Sequence, residues 1–269
     1  MPQTKMNDPM YLAVQYKDAS NLKARSGLHE RFSVNTYHWH PFVFDHLDMP
    51  AECRLLELGC GPGFLWLANL DRIPAGWDIT LSDFSTGMLE ETRNNLEKRH
   101  PFQFKVIDAQ SIPFEGRSFD AVIANHMLYH VPDIPAALAE IRRVLKPGGH
   151  FYTATNGARH LAELAGLMAK FDSALKYWGT LGLSFRLENA PALLSPFFTD
   201  IHLFRYEDAL EVTEVDPLLD YALSGSAGTV VREKRAHFRE FLCREMEASG
   251  GVIHITKEAG LFVSVPKGE

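Results

Sequence analysis

The chain is poor in cysteine, with only Cys53, Cys60 and Cys243 in 269 residues and no C-x-x-C pair among them. Three thiols cannot all be bridged and make no zinc motif, so a reduced, cytoplasmic protein is the expectation. No apolar run approaches the length of a bilayer span, and the polar start from Met1 to Met10 lacks an apolar core. Neither membrane insertion nor a targeting segment is therefore expected. An excess of positive charge is missing too: the formal net charge is −7. Nucleic acids and anionic membranes are bound by concentrated basic faces, so small or neutral partners are expected instead. Repeats and low-complexity tracts are absent. What is there is ordinary globular composition, 46% hydrophobic and 23% charged, in a length suited to one large core with a smaller appendage. A homodimer is compatible with the sequence, which fixes no oligomeric state.

Residues 1–50 are polar and aromatic by turns, and read as a helical cap over a ligand site. Helices are predicted over 21–32, capped by Ser20 or Asn21, and over 41–47, with Pro50 just past the end. The segment is rich in groups able to face a ligand, including Tyr11, Tyr16, Arg25, His29, Trp39 and His40. From Cys53 the pattern alternates. Strands are predicted over 54–58, 77–83, 102–108, 119–125 and 150–155, with helices after the first glycine turn, over 86–99 behind a Ser85 cap, and over 135–145. Such alternation builds a parallel sheet covered on both faces. After Thr155 the rhythm breaks. A helix over 158–175 is expected, then an irregular stretch with Trp178, Phe185, Phe197 and Phe198, and a strand over 201–206. Helices from Asp216 to about Gly225 and over 230–247 precede a compact final strand over 260–265. The organisation expected is a cap (1–50), a ligand-binding core (51–155) and a segment (156–269) that completes the sheet and adds substrate-side helices.

Chemistry concentrates at the predicted strand ends, where doubly wound sheets bind ligands beside the switch point. The first strand runs through Leu55 to Leu58 into the glycine turn Gly59-Cys60-Gly61-Pro62-Gly63. Glycines there let backbone approach a ligand, and the following helix start offers unpaired N–H groups. The second strand ends in Asp83, the third in Asp108-Ala109 and the fourth in Asn125-His126. Asp83 stands twenty residues after Gly63, the interval at which nucleotide folds place a carboxylate on ribose hydroxyls. A dinucleotide fingerprint would need a third glycine where Phe64 stands, and no Lys-Ser or Lys-Thr follows the turn to make a phosphate loop.

Taken in order, Glu57-Leu58-Gly59-Cys60-Gly61-Pro62-Gly63, Asp83, Asp108-Ala109-Gln110-Ser111-Ile112-Pro113-Phe114, the run from Phe119 to Asn125, and Leu145-Lys146-Pro147-Gly148-Gly149 resemble the successive motifs of class I S-adenosylmethionine-dependent methyltransferases. Within that superfamily they are most similar to the small-molecule group containing the ubiquinone and menaquinone biosynthesis C-methyltransferases. The resemblance spans about residues 51–155. It implies an α/β fold, a doubly wound, seven-stranded, mostly parallel Rossmann-like sheet whose last strand is antiparallel. The cofactor it implies is S-adenosyl-L-methionine. By the same resemblance Gly59 and Gly61 would give room to the methionine part, and Glu57 would sit near its positive charge. Asp83 would hold the ribose, Phe84 would lie beside the adenine, Asp108 and the Ala109 N–H would meet the ring, and Asn125 would line the sulfonium pocket. Tyr16 and Arg25 are the candidates for the methionine carboxylate.

His126 and His130 are the candidate catalytic proton acceptors, if the methyl acceptor has to lose a proton. Their spacing, and the His38-x-His40 pair, lack the carboxylate or cysteine set that a metal site needs, so no metal is expected. The strand-four end carries no Asn-Pro-Pro-Tyr or Asp-Pro-Pro-Tyr, and no Pro-Cys nucleophile occurs, which argues against nucleic-acid amino methylation and cytosine C5 chemistry. The expected activity is methyl transfer to a small molecule, an aromatic compound or secondary metabolite. A non-catalytic binding or scaffold protein of the same fold is the alternative, and an NAD-dependent oxidoreductase is disfavoured by Phe64 and the Asp108-Ala109 motif.

Overall fold

The computed structural model describes residues 16–17, 20–96, 99–175, 184–225 and 228–268. Tyr11 and Trp178 lie outside that set. Seven strands form one sheet in the order β3-β2-β1-β4-β5-β7-β6. They are β1 (Glu52–Leu58), β2 (Gly76–Asp83), β3 (Gln103–Val106), β4 (Phe119–Asn125), β5 (Leu145–Asn156), β6 (Phe198–Val212) and β7 (Ile253–Pro266). The first five run parallel, while β7 is antiparallel to both β5 and β6. This is the doubly wound sheet with an antiparallel last strand that the motifs imply. Strand order reverses between β1 and β4, which pair through Leu55↔Ala121 to Glu57↔Ile123. The two strands therefore diverge into a crevice at their carboxyl ends.

The helices are α1 (Ser20–Phe32), α2 (Trp39–Asp45), α3 (Phe64–Leu67), α4 (Thr86–Leu96), α5 (Ile134–Val144), α6 (Ala162–Phe171), α7 (Ala190–Leu194), α8 (Val215–Leu223), α9 (Gly228–Glu233) and α10 (Arg235–Ala248). Helix α5 shows why these segments fold as they do. Asp133 accepts the N–H of Ala136 at 3.0 Å, Pro135 suits the first turn, and Leu138, Ile141 and Val144 come round to one fully buried face against the sheet. Each such aliphatic side chain contributes about 1.5–3 kcal/mol on burial. None of the helices among the described residues is long and apolar enough to cross a membrane.

The chain after Thr155 departs from expectation in three ways. The helix expected over 158–175 is shorter, because Leu161 takes a left-handed φ of 58° and its N–H is tied to the Thr256 carbonyl at 2.8 Å, so α6 starts after it. The helix expected over 230–247 is broken at Lys234 into α9 and α10. The last two strands are longer than the six-residue segments expected, at 15 and 14 residues. Only Ala259–Ser264 of β7 pairs with β5; the ribbon of 207–212 against 253–258 runs on beyond the sheet. There Leu210, Val212, Ile253 and Ile255 join a second core with α1, α6, α8 and α10. That second core holds the far wall of the site.

A candidate ligand-binding and active site

The crevice opens into one cavity of about 1180 Å³. Single small-ligand sites run to roughly 300–1,000 Å³, so there is room for two ligands side by side. All twelve residues singled out from the sequence line it: Tyr16, Arg25, Glu57, Gly59, Gly61, Asp83, Phe84, Asp108, Ala109, Asn125, His126 and His130.

The glycine loop is built as its conformation demands. Gly59, Gly61 and Gly63 have φ of 67°, 54° and 77°, a region that side chains rarely enter. A Cβ on Gly59 would stand 2.7 Å from Cβ of Met127, and one on Gly63 would stand 2.7 Å from Cδ1 of Leu96. Asp83 staples this loop to the next: one carboxylate oxygen accepts the Gly61 N–H at 3.0 Å, the other the Ser85 N–H at 2.8 Å. Two N–H bonds use about half of a carboxylate's acceptor capacity, leaving the rest for a ligand's hydroxyls. Burial pushes the Asp83 carboxyl up from its ordinary range, and those backbone bonds oppose the shift. Behind the loop Glu57, 2% exposed, accepts the Trp66 indole N–H at 2.6 Å. Desolvation pushes its carboxyl up to about 7. Asp108 accepts the backbone N–H of Gln110 at 2.9 Å, and Phe84 stands 64% exposed at the mouth. Asn125 Oδ1 is buried with no hydrogen-bond partner among the described residues. An orphaned acceptor of that kind calls for a donor on the ligand.

Over this floor lies the strap at Tyr16 and Lys17. The Ser85 hydroxyl donates to the Tyr16 carbonyl at 2.8 Å, and the Tyr16 hydroxyl meets His130 Nε2 at 2.7 Å. Arg25 lies beside Tyr16: burial, the larger effect, raises the Tyr16 hydroxyl, while the Arg25 guanidinium and its side-chain hydrogen bond pull it down. Arg25 also donates from Nε to the Ser224 hydroxyl at 3.2 Å and from a terminal nitrogen to the Ser224 carbonyl at 2.8 Å. His126 has a left-handed φ of 54° and lies against Trp39, with ring centroids 5.0 Å apart. Desolvation pushes its imidazole down to about 4.

Beyond the end of β4 the cavity continues into a chamber walled by α1, α2, the loop after β5, and the β6–β7 ribbon. Its residues include His29, Trp39, His160, Tyr206, Tyr221 and Lys257. His29 and His160 stack at 5.9 Å, and burial pushes His29 down to about 3 and His160 well below the ordinary value. Sequence reasoning noted His29 and Trp39 as ligand-facing candidates but missed His160, Tyr206 and Lys257. The usable signal was the short alternation of apolar and polar residues at Leu210-Glu211-Val212 and at Ile253-His254-Ile255-Thr256, which extends both strands.

The core of the chain is similar to known proteins. Residues 56–153 match the family model described as a methyltransferase domain. The chain is 26% identical over 228 residues to the biotin biosynthesis bifunctional protein BioHC of Saccharophagus degradans, covering 78% of this chain and 39% of that protein. It is 35% identical over 111 residues to the ubiquinone/menaquinone biosynthesis C-methyltransferase UbiE of Desulfotalea psychrophila, covering 41% of this chain and 44% of that protein. The alignments thus span less than half the length of either curated relative. Among solved structures, Haemonchus contortus phosphoethanolamine N-methyltransferase 2 in complex with S-adenosyl-L-methionine superposes with a TM-score of 0.57 at 20% identity, covering 97% of this chain and 59% of that one. Sheet order, glycine loop and family match agree: residues 56–153 are similar to a methyltransferase domain, and the chain takes the fold of its solved neighbours.

Proposed function

We propose that the chain is an S-adenosyl-L-methionine-dependent methyltransferase acting on a small-molecule acceptor, with residues 16–50 serving as the cap over its cofactor. The observation that carries this reading is the convergence of four strand ends on one cavity with room for a cofactor and an acceptor side by side. The residues present suit the cofactor. Asp83 keeps acceptor capacity for ribose hydroxyls, and the orphaned Asn125 oxygen suits an ammonium. The glycine loop brings bare backbone to the cavity, at φ values that side chains rarely enter. Support also comes from the curated relatives with methyltransferase names and from the S-adenosyl-L-methionine held by the superposed neighbour.

S-adenosylmethionine, when bound, supplies an electrophilic methyl group on a sulfonium, so no residue has to activate the donor. The protein's task is to hold an acceptor atom in line and to exclude water, which in favourable cases contributes roughly 7–11 kcal/mol. Trp39, Tyr206 and Tyr221 give the acceptor chamber flat apolar walls. His126 stands at the head of that chamber as a neutral imidazole. A group of such low proton affinity takes a proton only from an acidic acceptor. His130 is engaged by the Tyr16 hydroxyl, a contact that ties the strap to the loop after β4.

The test is transfer from methyl-labelled S-adenosylmethionine into a small-metabolite extract. Label in low-mass products, absent with Gly59→Val protein, is the expected result. Binding of S-adenosylhomocysteine without any label transfer would instead favour the scaffold reading.

A further inference from the structure

We propose that Lys257 and His160 form the polar end of the acceptor chamber and donate hydrogen bonds to an uncharged carbonyl or hydroxyl oxygen of the methyl acceptor. This rests on the methyltransferase reading and extends it to the acceptor's chemistry.

The inference starts from an ion pair in an unusual place. The Lys257 side chain is 8% exposed and that of its partner Asp208 is 0% exposed. Burying two charges is weak evidence for stability, since apolar residues of similar size generally serve as well. Asp208 is saturated: besides Lys257 it accepts the Ser33 hydroxyl, the Asn35 N–H at 3.0 Å and the Ala209 N–H at 2.8 Å. Lys257 is not. Its ammonium carries three donors, of which one goes to Asp208 and one to the Ser33 hydroxyl at 2.9 Å. The third has no oxygen or nitrogen partner among the described residues, and the side chain lines the cavity with the Tyr206 ring 5.3 Å away.

His160 supplies the second donor. Its Nδ1 accepts the backbone N–H of Glu258 at 3.2 Å. A backbone N–H can only donate, so Nδ1 presents its lone pair and the proton of the neutral ring sits on Nε2. That Nε2–H has no partner among the described residues, and the ring lines the same chamber. The stack with His29 at 5.9 Å holds its plane.

Charge decides the class of ligand. Asp208 cancels Lys257, and His29 and His160 are held neutral by burial. This end of the chamber therefore offers hydrogen-bond donors without net positive charge. A carboxylate or phosphate placed there would be a buried anion with no uncompensated cation beside it, whereas a neutral oxygen gains both donors at little desolvation cost.

The test compares three probes of one shape in the presence of saturating S-adenosylhomocysteine: 2-acetylnaphthalene, 2-naphthoate and 2-ethylnaphthalene, by ligand-observed NMR titration. The ketone is expected to bind about tenfold more tightly than either of the others, the effect of one good buried hydrogen bond. In the charge-balanced variant Lys257→Met/Asp208→Asn that preference should vanish while S-adenosylhomocysteine affinity stays unchanged. His160→Phe, which keeps a ring in place, should reduce it. The proposal is overturned if the carboxylate binds as well as the ketone, if the preference survives in both variants, or if no probe binds while S-adenosylhomocysteine does. Failure of S-adenosylhomocysteine to bind would remove the methyltransferase reading itself, which separates the two failures.

Discussion

Replacing Asp83 by Asn separates the two tasks of this carboxylate. In the folded protein it accepts the N–H groups of Gly61 and Ser85 at 3.0 and 2.8 Å, and its remaining capacity faces the cavity. The Asn side chain has one acceptor oxygen, so one of the two N–H groups loses its partner. An unsatisfied donor of this kind costs about 1–3 kcal/mol of stability. On the ligand side two charge-assisted bonds to ribose hydroxyls are lost, each about 1.5–3 kcal/mol. Affinity for S-adenosylhomocysteine should therefore fall roughly 10²- to 10⁴-fold, at 1.4 kcal/mol per decade. Loop distortion alone would also weaken binding, so the assay must read the hydroxyls directly. Calorimetric titration with S-adenosylhomocysteine and its 2′-deoxy analogue does this. In the wild type the deoxy ligand should bind roughly tenfold or more weakly, as expected for one such bond. In Asp83→Asn the two ligands should be nearly equal. Equal affinities in the wild type, or an undiminished deoxy penalty in the variant, would refute the assignment of Asp83 to the ribose.

Glu57 should give the unliganded protein a pH-dependent component of stability. Its folded carboxyl is raised to about 7 from 4.5, so its contribution is fully present below 4.5 and is lost as pH rises through 7. The loss is on the order of 3 kcal/mol, and Glu57→Gln should remove it, seen as a variant-minus-wild-type difference in urea unfolding that changes across that window. His29 and His126, depressed to about 3 and 4, act oppositely: their stability is present above 6.5 and lost on acidification. They are common to both proteins and cancel in the difference. In the glycine loop, Gly59→Ala and Gly63→Ala meet side chains at 2.7 Å, whereas Gly61→Ala meets nothing nearer than 3.7 Å. Thermal melts should rank the first two clearly below the third, which carries only a left-handed backbone cost of about 1–2 kcal/mol. His126→Ala and His130→Ala should each slow turnover more than they weaken S-adenosylhomocysteine binding; an unchanged rate in both would mean the acceptor needs nothing from this loop.

The floor of the site was legible because each of its parts is local. A strand such as 119–125 announces itself by the apolar run at 121–124, and the polar residue that ends it, Asn125, is placed by the same few residues. Asp83 and the glycine turn follow the same logic. The chamber wall was not legible for the opposite reason. Lys257 and Asp208 are 49 residues apart and meet only through the β6–β7 register, and Ser33 joins them across 175 residues from Asp208. Reading the last strand from Gly260 left Lys257 outside it. The Tyr16–His130 contact and the wedge of Met127 under Gly59 are likewise products of packing between distant segments. Helix periodicity misled at 158–175 and again at 230–247, which breaks at Lys234: in the first, apolar spacing continues from Leu161 through Leu175, but backbone hydrogen bonding of Leu161 to β7 sets where the helix begins.

The most direct measurement is calorimetric titration of the protein with S-adenosylmethionine and S-adenosylhomocysteine, with NADH as control. Saturable one-to-one binding of the first two, lost in Gly59→Val and absent for NADH, is the expected result. NADH binding in their place, or no binding of either adenosyl ligand by folded protein, would contradict the assignment of this cavity to a methyltransferase.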